Sequence, residues 1–273
     1  MTKFQMPEAV YFQKDSVVHF HQLAVKIEMD AVSNEQYFSW LDRVSEQIGS
    51  IVEGAQIAEK PSARVSPPLN TAIYYDTGNY AILPTGALLR TSCNKITHAF
   101  CAFKMAEDET SVRNDHRYVF EGEEKRAIQE APASEESVRI VTNLLARTDI
   151  VHPGTHLRAA TGIEPRDLFP AICLEDLRYT FFTWLDGKDA LRCSIDRFQV
   201  SDLRVAEMDR VRRPLSEVEL AIYPRISSEV AADRRVIDLM EALRDSLTSQ
   251  FGVSVTKAIK YQRAADALGI PPK

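Results

Sequence analysis

The stretch YYDTGNYAILPTGALLR, residues Tyr74–Arg90, contains parts of two β-strands and a turn-rich connection between them. The connection holds two glycines, an asparagine and a proline, which are residues typical of tight turns. Strands are therefore predicted over about Thr71–Asp76 and Ala87–Cys93. Because successive side chains of a strand point to opposite faces, Arg90 is expected to face away from its apolar neighbour Leu89.

The rest of the chain shows the same alternation of apolar and polar residues, interrupted by helical segments. The further predicted strands are Val17–Met29, His98–Ala106, Val112–Glu121, Arg178–Leu185, Ala190–Val200 and Glu217–Tyr223, with a hairpin turn at Asp186-Gly187. Helical spacing of apolar residues predicts a first helix that begins at a capping box of Ser33 and Gln36 and ends at about Glu59. The same spacing predicts further helices over Ser134–Thr148 and Ser228–Ser249, and a shorter one over roughly Pro165–Ala171. Strands dominate, so we expect one α+β domain.

Composition narrows the class of protein. The 273 residues include 33 Lys and Arg against 39 Asp and Glu, a formal net charge of −6, which argues against a broad nucleic-acid surface. The four cysteines form no CxxC pair, and this indicates a reducing cytoplasm without a zinc ribbon or disulfide framework. No apolar run reaches the ~18–20 residues of a membrane span, and the N-terminus lacks the apolar core of a secretory signal. Neither a GxxxxGK[ST] loop nor a GxGxxG motif is present, which argues against a P-loop or Rossmann nucleotide site.

Each predicted strand has one apolar face and one charged face, and two interpretations of this pattern are open. The charged positions are Lys26 and Glu28; Arg90; Lys104; Arg113, Asp115, Arg117 and Glu121; Arg178; Arg192 and Asp196; and Glu217 with Glu219. In an ordinary antiparallel sheet the charged face would lie in water. In a closed barrel, helices would cover the apolar outer face and the charged face would line a tunnel suited to a polyanion such as a triphosphate.

The motifs along the chain resemble those of the CYTH superfamily, the triphosphate tunnel metalloenzymes, and of the related polyphosphate-polymerase (VTC) domains. Tyr74–Arg90 resembles the family signature YFDT…L…G..LR. The other matching positions are, in chain order, a Lys-bearing first strand, the Phe103-Lys104 pair, the Arg-rich strand Val112–Glu121, Arg178-Tyr179 with the strand Leu191–Phe198, the ExE-like strand Ser216–Leu220, and Lys260-Tyr261.

This resemblance implies a closed eight-stranded antiparallel tunnel, formed by a single domain over residues 1–273 with its core at about 17–263. It also implies a small polyanionic ligand (a triphosphate, polyphosphate or nucleotide), with Mg²⁺ or Mn²⁺ as cofactor. The expected phosphate-binding residues are Lys26, Arg90, Lys104, Arg113, Arg178, Arg192 and Lys260. Glu217 and Glu219 would hold the metal, since residues two apart on a strand share a face, and together with Lys26 they are the expected catalytic residues.

The first strand departs from the family pattern. The family's ExExK motif requires two glutamates and a lysine, but residues Gln22–Lys26 read QLAVK and keep only the lysine. Ser92 stands where a second basic residue is expected after Arg90. Glu28 lies on the same face as Lys26 and is the candidate third metal ligand. The missing carboxylates are expected to weaken metal binding.

Three functions are therefore considered. The first is a metal-dependent phosphohydrolase acting on inorganic triphosphate or on a nucleoside or thiamine triphosphate. The second is a catalytically inactive module that binds polyphosphate or a nucleotide in the same tunnel. The third is a protein without a small-molecule site, which acts through partner contacts.

Other polar residues have alternative roles. The pairs His19 with His21 and His152 with His156 are either metal ligands or structural histidines. Asp115 and Asp196 either supplement the metal site or pair with neighbouring arginines. Asp76 either lines the tunnel or begins the turn at Thr77-Gly78.

Overall fold

The structure is a computed structural model that describes residues 17–60, 63–105, 112–223 and 227–271, and only the backbone of residues 17–23, 112–114 and 228. Residues 1–16, on which the expectation about a secretory signal rests, lie outside this part of the chain. Among the described residues, no helix combines the length and the apolar character needed to cross a membrane.

Ten strands and seven helices make up the described chain, together with three short 3₁₀ turns. The strands are β1 (Val17–Glu28), β2 (Ala55–Glu59), β3 (Leu69–Asp76), β4 (Leu88–Asn94), β5 (Ala99–Lys104), β6 (Val112–Val119), β7 (Phe169–Leu185), β8 (Lys188–Asp202), β9 (Arg213–Ile222) and β10 (Val255–Thr256). The helices are α1 (Asn34–Ile51), α2 (Gly122–Glu130), α3 (Glu135–Ala146), α4 (Pro153–Thr161), α5 (Ser228–Ala231), α6 (Arg235–Phe251) and α7 (Lys260–Ala267).

All ten strands belong to one antiparallel sheet with the order β10-β1-β6-β5-β4-β3-β7-β8-β9, and β2 pairs with β7. The strand β1 is shared between two neighbours, because its residues Val17–Leu23 pair with β6 and its residues Ala24–Glu28 pair with β9. The predicted α+β fold with a large antiparallel sheet is therefore confirmed.

The prediction of a closed eight-stranded barrel is wrong in its details. The sheet has ten strands, because the predicted first helix ends early and residues Ala55–Glu59 form β2, and because the short strand β10 adds to β1. A strand inside a closed barrel pairs with a neighbour on each side. In the described pairings each residue of β1 pairs with β6 or with β9 but not with both, so the sheet is not closed along its length. The shared strand nevertheless curls the sheet and gives it a concave inner face.

The outer, convex face of the sheet is apolar and covered by helices. The helices α1 and α6 pack on β1, β7, β8 and β9 in a core that includes Trp40 and Ile195. The helices α2, α3 and α4 pack on β3, β4 and β5 in a second core that includes Leu89, Phe103 and Leu144. This arrangement leaves the charged side chains of the strands on the inner face, as the tunnel interpretation predicts.

The helix α7 closes one end of the inner face. Its apolar residues pack with residues of β3, β7 and β8, among them Ile172 and Phe198. The ring of Tyr261 stacks on that of Tyr74, with 4.8 Å between ring centroids, and its hydroxyl donates a hydrogen bond to Asp76 Oδ2 at 2.7 Å. Asp76 also accepts from the backbone N–H groups of the following turn, so a fully buried carboxylate anchors both this turn and α7.

The helix boundaries differ from the predicted ones for local reasons. The capping box of Ser33 and Gln36 is confirmed, but α1 ends at Ile51 because Gly54 takes a left-handed conformation with φ of 77°. The predicted helix over Pro165–Ala171 is wrong, since only a 3₁₀ turn at Pro165–Asp167 precedes β7.

The hydroxyl of Tyr261 provides a test of the α7 anchor. We expect Tyr261→Phe to lower the free energy of unfolding by about 1.5–3 kcal/mol, because it removes a hydrogen bond to a buried carboxylate. The matched control is Tyr37→Phe, which removes a buried hydroxyl that has no hydrogen-bond partner. Urea unfolding of the two variants measures the difference, and equal losses would contradict the proposed role of the bond.

Candidate functional site

A concave site, which we call the central cavity, lies on the inner face of the curled sheet. Seven strands and the start of α7 build its wall, and it encloses about 610 Å³ of empty space, its open mouth included. Its lining residues are Ala24, Lys26, Tyr74, Leu88, Arg90, Lys104, Asp115, Arg178, Glu217, Glu219, Ile259 and Lys260.

The strand register explains why these side chains meet. Lys26 lies opposite Glu219 in the β1–β9 pair, and Lys104 lies opposite Asp115 in the β5–β6 pair. Arg90 lies opposite Tyr74 in the β3–β4 pair. Directly paired residues share a face, so the alternation seen in each separate strand places all of these groups on the same concave surface.

The lining carries more positive than negative charge. Five cationic side chains face three carboxylates, which leaves a formal excess of two positive charges inside a protein whose net charge is −6. An anion entering the cavity therefore meets a local field opposite to that of the protein as a whole.

Lys104, Asp115 and Arg117 form one ion-paired group. Asp115 Oδ2 lies 3.2 Å from Lys104 Nζ and 2.8 Å from Arg117 Nη2. Burial lowers the pKa of Lys104 to about 8, although Asp115 partly opposes this change. Burial alone would raise the pKa of Asp115, but Lys104 and Arg117 hold it well below its usual range. The carboxylate is therefore charged at neutral pH, whereas the lysine titrates close to neutral pH.

Arg178, Asp196 and Lys260 form a second group at the floor of the cavity. Arg178 binds Asp196 in a bidentate manner, from Nε at 2.8 Å and from Nη2 at 2.7 Å, and Lys260 Nζ donates to Asp196 Oδ2. Asp176 Oδ2 lies 3.3 Å from Lys260 Nζ, while its Oδ1 is buried without a hydrogen-bond partner. Burial, followed by repulsion from Asp196, raises the pKa of Asp176 to about 6.

Arg263, one helical turn after Lys260, holds a third set of carboxylates. Its Nη1 lies 3.1 Å from Glu217 Oε2, and its Nη2 lies 2.9 Å from Asp30 Oδ2. Its Nε lies 3.7 Å from Glu28 Oε1. Only 6% of the Arg263 side chain is exposed, so this guanidinium is an internal counter-ion of the fold.

Arg90 differs from the other cations of the lining. It forms no ion pair with any residue in the described part of the chain, and its Nε is buried without a hydrogen-bond partner. Arg192, another predicted phosphate-binding residue, lies on the inner face of β8 opposite Ala221 but outside the lining. Burial, followed by the nearby charge of Arg178, lowers the pKa of Arg192.

The structure brings most of the predicted site residues together. Seven of them line the central cavity: Lys26, Arg90, Lys104, Arg178, Glu217, Glu219 and Lys260. Glu28 does not line the cavity. Its side chain is 48% exposed and lies beside Arg263 at the edge of the site. Arg113 belongs to β6, but its side chain lies outside the described residues, as do the side chains of His19 and His21.

Glu217, one of the two carboxylates expected to hold Mg²⁺ or Mn²⁺, does not fit such an ion as it is placed. Glu217 Oε1 lies 3.8 Å from Lys260 Nζ, and its other oxygen binds Arg263. Burial would raise the pKa of Glu219, but Lys26 and other cations lower it to about 2, so Glu219 is ionised and neighbouring cations already act on its charge. Among the described residues, no group of three or more His, Cys, Asp and Glu side chains is arranged for a metal ion.

The remaining polar residues with alternative roles have structural contacts. His152 caps α4, since its Nδ1 accepts from the Gly154 N–H and its Nε2 contacts the Arg147 carbonyl. The ring of His156 stacks on that of His116 at 3.6 Å. Asp115 and Asp196 both pair with cations: Asp115 pairs with Arg117 and Lys104, while Asp196 pairs with Arg178 and Lys260.

Sequence reasoning missed Arg263 and Asp176 as parts of the site. Arg263 follows Lys260 by three residues, a spacing that places both on one side of a helix, so a predicted helix at this point would have revealed it. Asp176 shares a strand face with Arg178. The predicted strand began only at Arg178, so the sequence did not indicate that Asp176 faces the site.

Comparison with known proteins shows likeness in structure only. No protein-family model matches the chain, and no curated protein matches it in sequence. A "putative adenylate cyclase" of Bacillus halodurans superposes with a TM-score of 0.51 at 13% identity, over 90% of this chain and 97% of the other. HpAC1 of Hippeastrum, described as a "putative adenylyl cyclase" with a dominant triphosphatase activity, superposes at 0.44 with 11% identity, over 92% and 97%. The Bacillus halodurans protein has the triphosphate tunnel fold, and this likeness confirms the resemblance found in the sequence for the fold alone.

The raised pKa of Asp176 predicts a pH-dependent contribution to stability. Its pKa of about 6 in the folded protein exceeds the ordinary value of 3.8, so the folded state binds more protons between these values. The contribution is therefore fully present below about pH 4 and is lost as the pH rises through about 6, by ~3 kcal/mol.

Urea unfolding of the wild type and of Asp176→Asn at pH 4.5 and 7.5 measures this contribution. The wild type loses the contribution of Asp176 between pH 4.5 and 7.5, whereas the variant has no titrating group to lose. The free energy of unfolding of the variant relative to the wild type should therefore rise over this interval. Asp209→Asn, at an exposed position, is the control and should follow the wild type. Parallel pH profiles for the wild type and Asp176→Asn would contradict the assignment.

Proposed function

Because the chain has the triphosphate tunnel fold, we propose that it binds a triphosphate-bearing small molecule in the central cavity. The observation that carries this proposal is Arg90, a guanidinium in the cavity lining that forms no ion pair with a described carboxylate. A buried donor of a cation without a partner is costly, and an anionic ligand would supply the missing partner of Arg90 Nε.

The distribution of the cations supports a ligand with several phosphate groups. The lining cations come from five different elements, β1, β4, β5, β7 and α7, and therefore surround the space from several sides. A linear polyanion can contact several of them at once, whereas a single phosphate group cannot. Arginine and lysine together offer bidentate and point-charge contacts to phosphate oxygens.

Binding without turnover is the form of this proposal that the geometry supports best. Asp115 and Glu217, two of the three carboxylates of the lining, are already paired with cations, and the placement of Glu217 does not fit a metal ion. The requirement for Mg²⁺ or Mn²⁺ therefore stays a prediction from the sequence resemblance. The cytoplasm as the compartment also stays a prediction.

A second candidate function is hydrolysis of the bound triphosphate, and Lys104 is the observation that favours it. A lysine whose pKa is about 8 can donate a proton to a leaving phosphate near neutral pH. The surrounding guanidinium and ammonium groups would stabilise the negative charge of a phosphoryl group during transfer.

Calorimetric titration with tripolyphosphate tests the binding proposal. We expect Arg90→Gln to weaken binding by about 1.5–3 kcal/mol, or roughly 10- to 100-fold, because charge-assisted contacts are lost. The matched control is Arg126→Gln, whose guanidinium is exposed and, among the described residues, pairs only with Glu123 at 3.7 Å. If the wild type does not bind tripolyphosphate, or if both variants bind as the wild type does, the proposal is wrong.

Phosphate release from tripolyphosphate, ATP and thiamine triphosphate, with and without Mg²⁺ or Mn²⁺, tests the second candidate. Lys104→Arg keeps the positive charge but cannot donate a proton at neutral pH, so it should keep binding and lose roughly 100-fold or more in turnover. If the wild type releases no phosphate under any of these conditions, hydrolysis is excluded for these substrates while the binding proposal stands.

A further inference from the structure

The ammonium group of Lys260 sits within a set of three carboxylates from three different strands. Its Nζ lies 3.3 Å from Asp176 Oδ2 and 3.8 Å from Glu217 Oε1, and it lies closer still to Asp196 Oδ2. Only 10% of the Lys260 side chain is exposed, and the ring of Phe198 lies 5.0 Å from Nζ. The Lys260 ammonium therefore acts as an internal counter-ion for carboxylates of three strands.

Arg263 extends this arrangement by one helical turn. It contacts Glu217 and Asp30 directly and lies near Glu28, so Glu217 is held between both cations of α7. One helix thus places two positive charges, those of Lys260 and Arg263, among the carboxylates of this part of the fold. A bound divalent cation would supply the same charge to the same carboxylates.

The helix is fixed in this position by contacts that do not involve the ion pairs. Tyr261 stacks on Tyr74 and donates a hydrogen bond to the buried Asp76, and the apolar residues of α7 belong to the core at that end of the sheet. A metal ion could bind Glu217 only by displacing two held cations or by moving this anchored helix.

We infer that Lys260 and Arg263 are resident counter-ions that take the place of a protein-bound divalent cation, so that the central cavity binds its polyanion without a metal. This inference rests on the proposed function, because it concerns how the same cavity receives a triphosphate. It departs from the Mg²⁺ or Mn²⁺ expected from the sequence resemblance. The departure follows from the positions of the two cations of α7, which sequence motifs alone do not reveal.

Calorimetric titration of the wild type with tripolyphosphate in EDTA, and again with Mg²⁺ and with Mn²⁺, tests the inference. We expect binding in EDTA, and no more than about threefold tightening by either metal. Binding that requires a metal, or that tightens tenfold or more with one, would overturn the inference and leave the proposed function intact. The absence of binding in every condition would instead refute the proposed function and the inference with it.

Variants of Lys260 test the same point at the residue that carries it. In EDTA, Lys260→Met should bind tripolyphosphate at least tenfold more weakly, because three carboxylates lose their shared cation, while Lys260→Arg should bind within threefold of the wild type. The exposed Lys257→Met is the matched control and should bind as the wild type does. Wild-type affinity of Lys260→Met would overturn the inference. If circular dichroism shows that Lys260→Met is unfolded, the wild-type titrations and Lys260→Arg decide.

Discussion

The structure depends on one constraint, the need to neutralise charged side chains that a curled sheet removes from water. Asp196 is fully buried and is stabilised by the bidentate contact of Arg178 and by Lys260. Asp115 is neutralised in the same way by Lys104 and Arg117. A carboxylate that loses such a partner would remain buried and charged, which is far more costly than losing an ordinary contact.

The constraint also explains the role of the C-terminal helix. The inner face has carboxylates on β7, β8 and β9 that the strands alone do not fully neutralise, and α7 contributes Lys260 and Arg263 to them. The helix that closes the cavity thereby sets its charge balance. What is left is Arg90, a cation of the lining without a described counter-ion, and it is this excess that favours an anionic ligand.

The sequence predicts the inner face well because a strand has a period of two. Lys26, Arg90, Lys104 and Arg178 could each be assigned to a charged face from their neighbours alone, and the order of motifs placed these strands in one fold. The pairing of charges could not be predicted, since the partner of Arg178 lies on β8 and that of Lys104 lies on β6. Only the register between strands decides such contacts.

The predictions that failed depend on long-range contacts or on single residues. Residues Ala55–Glu59 continue the apolar pattern of α1, but they form β2 because Gly54 ends the helix and β7 offers a free edge. No helix was predicted over α7, since its short apolar pattern has meaning only when it packs on the end of the sheet. The expected closure of the barrel depended on full-length pairing of β1, which is instead divided between two strands.

A crystal structure of the protein with tripolyphosphate, grown in EDTA, would test the central claim most directly. The account predicts the anion inside the central cavity, with phosphate oxygens within hydrogen-bond distance of the Arg90 guanidinium and with Lys260 still bound to Asp196. An empty cavity with the anion on the outer surface, or an anion that displaces Lys260 from its carboxylates, would contradict the account.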